Sequence, residues 1–519
     1  MAGFATPPLG RDQLVLFPEK LDEVIPQDHR VRLLDDILRR LDWTDWEAAY
    51  DLTKGQPPLH PRVIAGAVLY GIMNRILSSR AVEEALWVRN DFRWLVEGLH
   101  IDHTTICKFR QKNSAALKSL FVQVGLVARE LGHLPLESLG FDGTRIRANN
   151  RRSGSRSPEE LRQAKDELQQ RFVELEEQAA QADASESERL GNHNGLQLSE
   201  ELAEVQQRQG KVDAAIAELE KLDKEPKRLP IVDPESRLTP NKDGGFAPNY
   251  TPHLAVDIDS GLAVSADVIP HTDEDKHMIS AVQDVKESFG LDKVPGELLA
   301  DGMMSTGENL ARCEELGIDF YSPIKLGCKD NPADRQDPRQ PVPEADWDRL
   351  PTSTTKRDGK KIKRFNKNAF IYDTDENCYW CPAGEKLAYQ HQTSQMENGR
   401  RRIFYRYQSS TESCQGCPLA SRCLGAKSKT RGVSHGEHES KRRNHAEKMK
   451  TSESQAKYAR RRSPGERPFA VIKAKYGARQ FFSRGLQRVR NEWLWLVSAF
   501  NLERLLSLQA SGPDPPQRR

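Results

Sequence analysis

Twice in this chain a short apolar run ends on an aspartate followed by a glycine: Ser138 to Asp142 before Gly143, and Glu297 to Asp301 before Gly302. Runs of this length that do not alternate with polar residues suit strands buried on both faces, and such strands belong to sheets covered by helices. Two of them, each ending on a carboxylate, predict an α/β sheet that presents Asp142 and Asp301 along one rim. Aspartate is also a favoured turn residue, so the pattern alone is equally consistent with a structural role for each acid.

The chain is 519 residues long, which predicts two to four structural units at roughly 100 to 200 residues each. Its mean hydropathy of −0.71 and 30% charged residues describe a modest core with long solvated segments. The longest apolar stretch, Val63 to Met73, falls well short of the roughly 18 residues a spanning helix needs, so no membrane partner is expected. The charged beginning (Arg11, Glu19, Lys20) lacks the apolar core of an export signal, and a cytoplasmic location is expected.

Residues 30 to 130 read as helical. A helix should begin near Ser78-Ser79-Arg80, with serine as cap and Glu83-Glu84 in the first turn. Another is predicted over 102 to 110, capped by Asp102 or Thr104, with Ile106 and Phe109 inward and Lys108 and Arg110 outward at its far end. That arrangement would make it a helix-turn-helix recognition element, although short basic amphipathic helices also serve plain packing. Leu161, Leu168 and Leu175 recur every seven residues, and Leu202, Val205, Val212, Ile216 and Leu219 continue a helical pattern after the break at Gly191 to Gly195, predicting an antiparallel hairpin or coiled coil. From Leu229 the texture changes. His253 to Asp257 and Leu262 to Ile269 flank Asp259-Ser260-Gly261 as a β-hairpin, followed by a helix near 275 to 289, the strand at 297, a helix over 306 to 316 and a strand over 319 to 324. Residues 326 to 365 read as a connecting loop. A basic helix should reach Arg462, break at Ser463-Pro464-Gly465, and resume through Glu466 to Lys473; a last helix, from about Leu486 to Leu506, must pack one apolar face.

The net charge of +2 hides a split. Pro158 to Glu225 holds 18 acidic and 8 basic residues, whereas Ser421 to Arg490 holds 20 basic and 5 acidic, and a polyanion meets the local field rather than the sum. Five of the eight cysteines lie between Cys378 and Cys423. Cys378-x-x-Cys381 and Cys414-x-x-Cys417 have the spacing of zinc knuckles, with Cys423 as an alternative ligand, against packed free thiols. Cys107, Cys313 and Cys328 have no partner at ligand spacing and read as core residues.

A third acid, Glu466, stands in the basic region. With Asp142 and Asp301 it could hold two divalent cations about 3.5 to 4 Å apart and promote phosphodiester cleavage or transfer. The segments Gly140 to Thr144, Leu299 to Gly302 and Glu466 to Lys473 resemble the three acidic motifs of DDE transposases of bacterial insertion sequences. The nearest group is the insertion-sequence family numbered eleven eighty-two, related to families four and five. Six residues separate Glu466 from Lys473, as in that group's Tyr-Arg-Glu-Lys signature, whose first half is matched by Tyr458 with Arg461 or Arg462. Ser78-Ser79-Arg80, Val82-Glu83, Asp102 to Ile106, Phe109-Arg110, Arg484 to Leu486, Val489, Glu492 and Ala499 to Leu502 extend the likeness over most of the chain.

The resemblance implies an α/β, RNase H-like mixed-sheet core with Asp142 on the first strand, Asp301 on the fourth and Glu466 on a later helix. Ahead of it would stand an N-terminal helical, helix-turn-helix-like DNA-binding domain over 1–130. The core would comprise 131–157, 227–325 and a basic part over 441–510, interrupted by an acidic helical hairpin over 158–226 and a Cys-rich insertion over 326–440; the Gly- and Pro-rich composition of 511–519 separately predicts a disordered tail. It further implies Mg2+ or Mn2+, two ions per site, on Asp142, Asp301 and Glu466. DNA would be held by Lys108, Arg110, Tyr458, Arg461, Arg462 and Lys473. The partners implied are terminal inverted repeats and target duplex DNA, met by a nucleoid-associated homo-oligomer; the cysteine spacing, for its part, suggests one structural Zn2+ on Cys378, Cys381, Cys414 and Cys417, with Cys423 as the alternative. The competing readings are a non-catalytic DNA-binding protein and an RNase H-like nuclease without strand transfer.

Overall fold

The computed structural model describes residues 20–51, 57–151, 154–186, 194–222, 225–241, 244–324, 331–357, 360–397, 400–425 and 427–511. Cys328, Gly191 to His193 and the tail beyond 511 lie outside these residues.

The central element is a mixed sheet of β1 (Ser138–Gly143), β2 (Phe246–Asp257), β3 (Ala263–Ile269), β4 (Glu297–Ala300) and β5 (Asp319–Tyr321), in the spatial order 3-2-1-4-5. Strand β2 runs antiparallel to β1 and β3, whereas β1, β4 and β5 are parallel. This order and these directions are compatible with an RNase H-like core. The first half of β2 extends past β1 to pair with the short strands Ile146–Arg147 and Arg237–Pro240. The β2–β3 turn forms as the sequence predicts: Asp257 Oδ1 accepts from the Ser260 N–H and hydroxyl, both at 2.7 Å, and Gly261 takes a φ of +72°.

Helices α1 (Arg30–Arg40), α2 (Pro61–Met73), α3 (Ser79–Val88), α4 (His103–Gln111) and α5 (Ser114–Glu130) precede the sheet. Ser78 caps α3 by accepting from Ala81 N–H, and Asp102 caps α4 through Thr104 and Thr105 N–H, as their side chains predict. The acidic hairpin is α6 (Pro158–Glu186) against α7 (Asn194–Glu220), inserted between β1 and β2; Leu161, Val212, Ala215 and Leu219 form its seam. Helices α8 (Met278–Ser288) and α9 (Gly307–Glu315) flank β4. Then come α10 (Glu439–Lys448), α11 (Ser452–Ala459), α12 (Arg462–Ala470) and α13 (Leu486–Ser511).

One hydrophobic core runs through α1 to α5, the sheet and α13. Trp495 of α13 lies 5.9 Å from both Trp46 and Phe109, and those two rings stack at 4.7 Å, so early and late parts of the chain share a single aromatic cluster. The apolar face predicted for the last helix is what fills this position: Val489, Trp493, Leu496, Val497 and Phe500 are all buried.

Residues 331 to 436 carry a second core, with Phe365, Phe370, Tyr379, Leu387 and Tyr407 buried. Its sheet is antiparallel, in the order β6 (Ile371–Asp373), β7 (Cys378–Trp380), β8 (Lys386–Glu397), β9 (Arg400–Ser409), β10 (Gly432–Gly436). The connecting loop expected over 326 to 365 is corrected here, because Thr352–Arg357 and Lys360–Phe365 form a hairpin. Lysine, arginine and threonine dominate those strands, so the usual apolar alternation is missing, and among the described side chains Phe365 is the buried anchor. The break expected at Ser463-Pro464-Gly465 is also corrected. These residues lie inside α12, where Pro464 occupies the first turn and its missing N–H leaves no hydrogen bond unmade.

Candidate active site

Phe141 pairs with Ala300 across the parallel β1–β4 ladder, so Asp142 and Asp301 leave neighbouring strands at the same level. Each following glycine is explained by a close approach. A Cβ on Gly143 would stand 2.2 Å from Glu274 Oε2, and one on Gly302 would stand 2.8 Å from the Pro323 carbonyl oxygen.

Asp142 is half-buried. Burial raises its pKa, Arg461 opposes that, and Asp301 and Glu466 raise it further, so both other acids lie within electrostatic reach of Asp142. Asp142 Oδ1 accepts from Gly143 N–H at 2.9 Å, and Oδ2 forms an ion pair with Arg461 Nη2 at 2.8 Å. Asp301 Oδ1 accepts from Met303 N–H at 2.9 Å. Glu466 is exposed on α12.

A fourth carboxylate stands here that the sequence reading missed. Glu274, in the short 3-10 turn Glu274–Lys276 after β3, packs over Gly143; burial, then Asp142 and Asp301, push its pKa up to about 7. It lies in the run His271-Thr272-Asp273-Glu274-Asp275, whose local texture is that of a solvated turn, so no signal in the sequence marked it.

Arg461 points into the site whereas Arg462 is exposed at the start of α12. Tyr458 packs beside Ile258, Leu299 and Tyr321. Helix α12 contains Pro468, which cannot donate to the carbonyl four residues back, and its last turn widens into a π-turn over Val471–Lys475, with Tyr476 N–H bonding to Val471 O at 3.0 Å. Glu466 and Lys473 thus share one continuous helical run. The Lys473 ammonium bonds to Thr144 Oγ1 and to Arg145 O at 2.9 Å, just past Asp142.

The candidate DNA contacts on α4 divide. Lys108 is exposed, but Arg110 is not outward as expected: it donates to Leu77 O at 2.6 Å, and burial lowers its pKa. Its guanidinium ties α4 to the turn before α3. The basic field of 421 to 490 is also unevenly available. Lys441 pairs with Glu314, Lys448 with Asp319, Lys457 with Glu297 at 2.9 Å, and Arg460 with Asp259 at 2.8 Å.

In the insertion, Cys381, Cys414, Cys417 and Cys423 line one cavity of about 30 Å3. Burial pushes the Cys423 thiol up to about 12, with the other three thiols adding to the shift. Gly416 adopts φ +75°, the left-handed turn a Cys-x-x-Cys knuckle uses. Cys378 is buried on β7 among Lys386, Asp373 and Glu376 rather than with these thiols, so the expected grouping is corrected: the structure gathers Cys423 in place of Cys378. Cys313 is buried as expected, whereas Cys107 is exposed.

Among the described residues, no group of three or more His, Cys, Asp or Glu side chains is arranged to hold a metal ion. The donor chemistry nonetheless suits one at each place: hard carboxylate oxygens in mutual repulsion beside β1 and β4, and four soft thiols in the insertion. No helix among the described residues is long and apolar enough to cross a membrane.

Two stretches of the chain are similar to known domain families. Residues 380–506, which include Glu466 and Lys473, match the Transposase DDE domain, and residues 19–112 match the Transposase domain (DUF772). The chain therefore carries two separate stretches similar to transposase domains, one before the central sheet and one after it. Asp142 and Asp301 lie outside both matched stretches, and no curated protein matches the chain.

Proposed function

We propose that the chain is a DDE transposase that cuts DNA at the ends of its element and joins the freed 3′ ends to target DNA. The observation that carries this is the placement of Asp142 and Asp301 at the ends of adjacent parallel strands with Glu466 in electrostatic reach, in a chain similar to transposase domains on both sides of that sheet.

Asp142, Asp301 and Glu466 would hold two Mg2+ or Mn2+ ions, which supply activation of the attacking oxygen and neutralisation of charge on the leaving one. The chain's own groups set the stage for an in-line displacement. Water attacks the phosphorus at the element's end and the bond to the 3′ oxygen breaks, leaving a 3′ hydroxyl. That hydroxyl then attacks a target phosphorus and displaces the target's own 3′ oxygen. Arg461, bound to Asp142 without DNA, exchanges that carboxylate for a backbone phosphate, which its planar fork fits equally well. Lys473, anchored at Thr144, holds a cation beside the scissile phosphate. Glu274, whose pKa burial and the neighbouring acids push up to about 7, completes the acidic rim and can hold a proton there near neutral pH.

On the same reading Cys381, Cys414, Cys417 and Cys423, which line one cavity, would hold one structural Zn2+ that ties the insertion's loops together. It also takes double-stranded DNA as the partner and a multimer of this chain as the working form.

The test is a Mg2+-dependent cleavage and strand-transfer assay on the DNA termini flanking the gene. Asp142→Asn, Asp301→Asn and Glu466→Gln should each lose at least about a hundredfold in rate while melting like the wild type. Full activity in any one of them removes that residue from the ligand set, and cleavage without joining in the wild type would favour a nuclease instead.

A further inference from the structure

Three residues after Asp142 the chain enters a segment, Arg145 to Arg151, that is zipped to Arg479 to Arg484. Arg147 N–H bonds to Arg479 O at 3.3 Å and Phe481 N–H to Arg147 O at 2.9 Å. Gln480 Nε2 reaches Ala148 O at 3.2 Å, and Arg484 Nε reaches Asn149 O at 3.2 Å. The paired edge adjoins Lys473, whose ammonium holds Arg145 O and whose own carbonyl accepts from Arg479 Nε at 3.4 Å.

Two properties distinguish this edge from the rest of the basic region. Its charge is largely unspent: Arg147, Arg151, Arg479 and Arg488 are exposed, with no carboxylate ion-pair partner among the described residues, whereas the lysines of α10 and α11 are paired to acids of α9 and the sheet. The nearby acids are engaged with backbone instead. Glu492 accepts from the N–H groups of Phe482 and Ser483 at 2.9 and 2.8 Å, Asp233 from Gly485 and Glu235 from Leu486.

The second property is Phe482. Phe481 turns inward against Tyr250, but Phe482 is 57% exposed. Its backbone is fixed on both sides, by Glu492 at the N–H and by Asn149 Nδ2 at the carbonyl at 2.5 Å. A rigidly presented aromatic ring among unpaired arginines is the combination that binds nucleic acid: phosphates satisfy the cations and a base covers the ring.

We propose that this paired edge is the DNA-contacting ledge of the active site, its arginines taking phosphates of duplex DNA and Phe482 stacking on a base beside the scissile phosphate. The inference rests on the transposase reading for the identity of the ligand and adds which surface the DNA follows.

The test uses the full chain and two probes: a fluorescent duplex of generic sequence, titrated across a salt series, and a duplex with a frayed end carrying 2-aminopurine. In Arg147→Gln/Arg151→Gln/Arg488→Gln, whose side chains make no hydrogen bond among the described residues, the slope of log affinity against log salt should fall by about 2.7. Affinity should drop at least about tenfold at moderate salt. Lys441→Gln/Lys450→Gln, from the paired region, should leave the slope within about 0.5 of wild type. Phe482→Ala should bind the intact duplex within about threefold of wild type but lose about tenfold on the frayed one, together with the 2-aminopurine quenching, and Phe482→Trp should restore both. Equal melting temperatures exclude misfolding as the cause, and the single variant Arg488→Gln, expected to lose about 0.9 in slope, serves if the triple variant melts early. An unchanged slope in the arginine variants overturns the ledge, and an unchanged 2-aminopurine signal in Phe482→Ala overturns the stacking role. A wild type with no salt-dependent binding to DNA instead defeats the transposase reading itself.

Discussion

Gly143 and Gly302 follow their aspartates for physically different reasons, and the difference has measurable size. The atom a Cβ on Gly143 would meet is the end of the Glu274 side chain, which can swing away; the atom facing Gly302 is a backbone carbonyl beyond β5, which cannot move without the strand. Gly302→Ala should therefore cost about 1 to 3 kcal/mol in urea unfolding, the range for overpacking, and Gly143→Ala less than about 1 kcal/mol. The second change should nonetheless shift the pH dependence of catalysis, because the displaced Glu274 no longer shares the rim with Asp142. At this scale the sequence was informative where the signal is local. Asp142 and Asp301 stand out because apolar runs precede them, and Asp102 and Ser78 cap the helices their side chains predict. Glu274 and the Arg461–Asp142 pair were invisible, since each is made by residues more than a hundred positions apart meeting only when the sheet closes.

Among the elements, the cysteine-bearing sheet shows how spacing can mislead. Two Cys-x-x-Cys pairs invite a symmetrical reading, but Cys378 sits on β7 opposite Ala388, and in a strand residues three apart cannot both face the same side. Cys381, just past the strand end, is free to turn toward the knuckle at Cys414 and Cys417, and Cys423 closes the set from the following short helix. Purified protein should contain about one zinc per chain by elemental analysis. Cys423→Ser should lower that content and Cys378→Ser should leave it unchanged. Equal loss in both, or no zinc in the wild type, would reverse the assignment. Helices α9 and α13 were anticipated from their apolar residues, whereas α10 and α11, nearly bare of apolar residues, were legible only as one basic helix. The hairpin over 352 to 365 was not, because its stability comes from Phe365 and from the sheet it adjoins rather than from its own composition.

Over the whole molecule, two cores each bury a histidine that must stay neutral. His253 lies in the main core and His435 in the insertion, hydrogen-bonded to Tyr379 at 2.8 Å; burial lowers both pKa values, that of His435 from 6.5 to about 4. Because the folded pKa lies below the unfolded one, this contribution is complete above pH 6.5 and is lost as pH falls toward 4. The loss for His435 approaches about 3 kcal/mol at the acid end, at 1.36 kcal/mol per pKa unit. The difference in melting temperature between wild type and His435→Gln, followed from pH 7 to 4, should shrink steadily; a constant difference would mean that His435 titrates normally.

The aromatic cluster joining Trp46, Phe109 and Trp495 also sets an order of events. Trp495 donates its indole N–H to Arg110 O across 385 positions of chain, so the early helices, although they pack on one another, lack the last wall of their core until α13 has been made. Closing so long a loop is slow, and during synthesis those helices wait exposed to chaperones. A ribosome that stops before α13 releases a chain whose early helices lack part of their core, so an interrupted copy of the gene should yield degradable protein rather than a stable fragment.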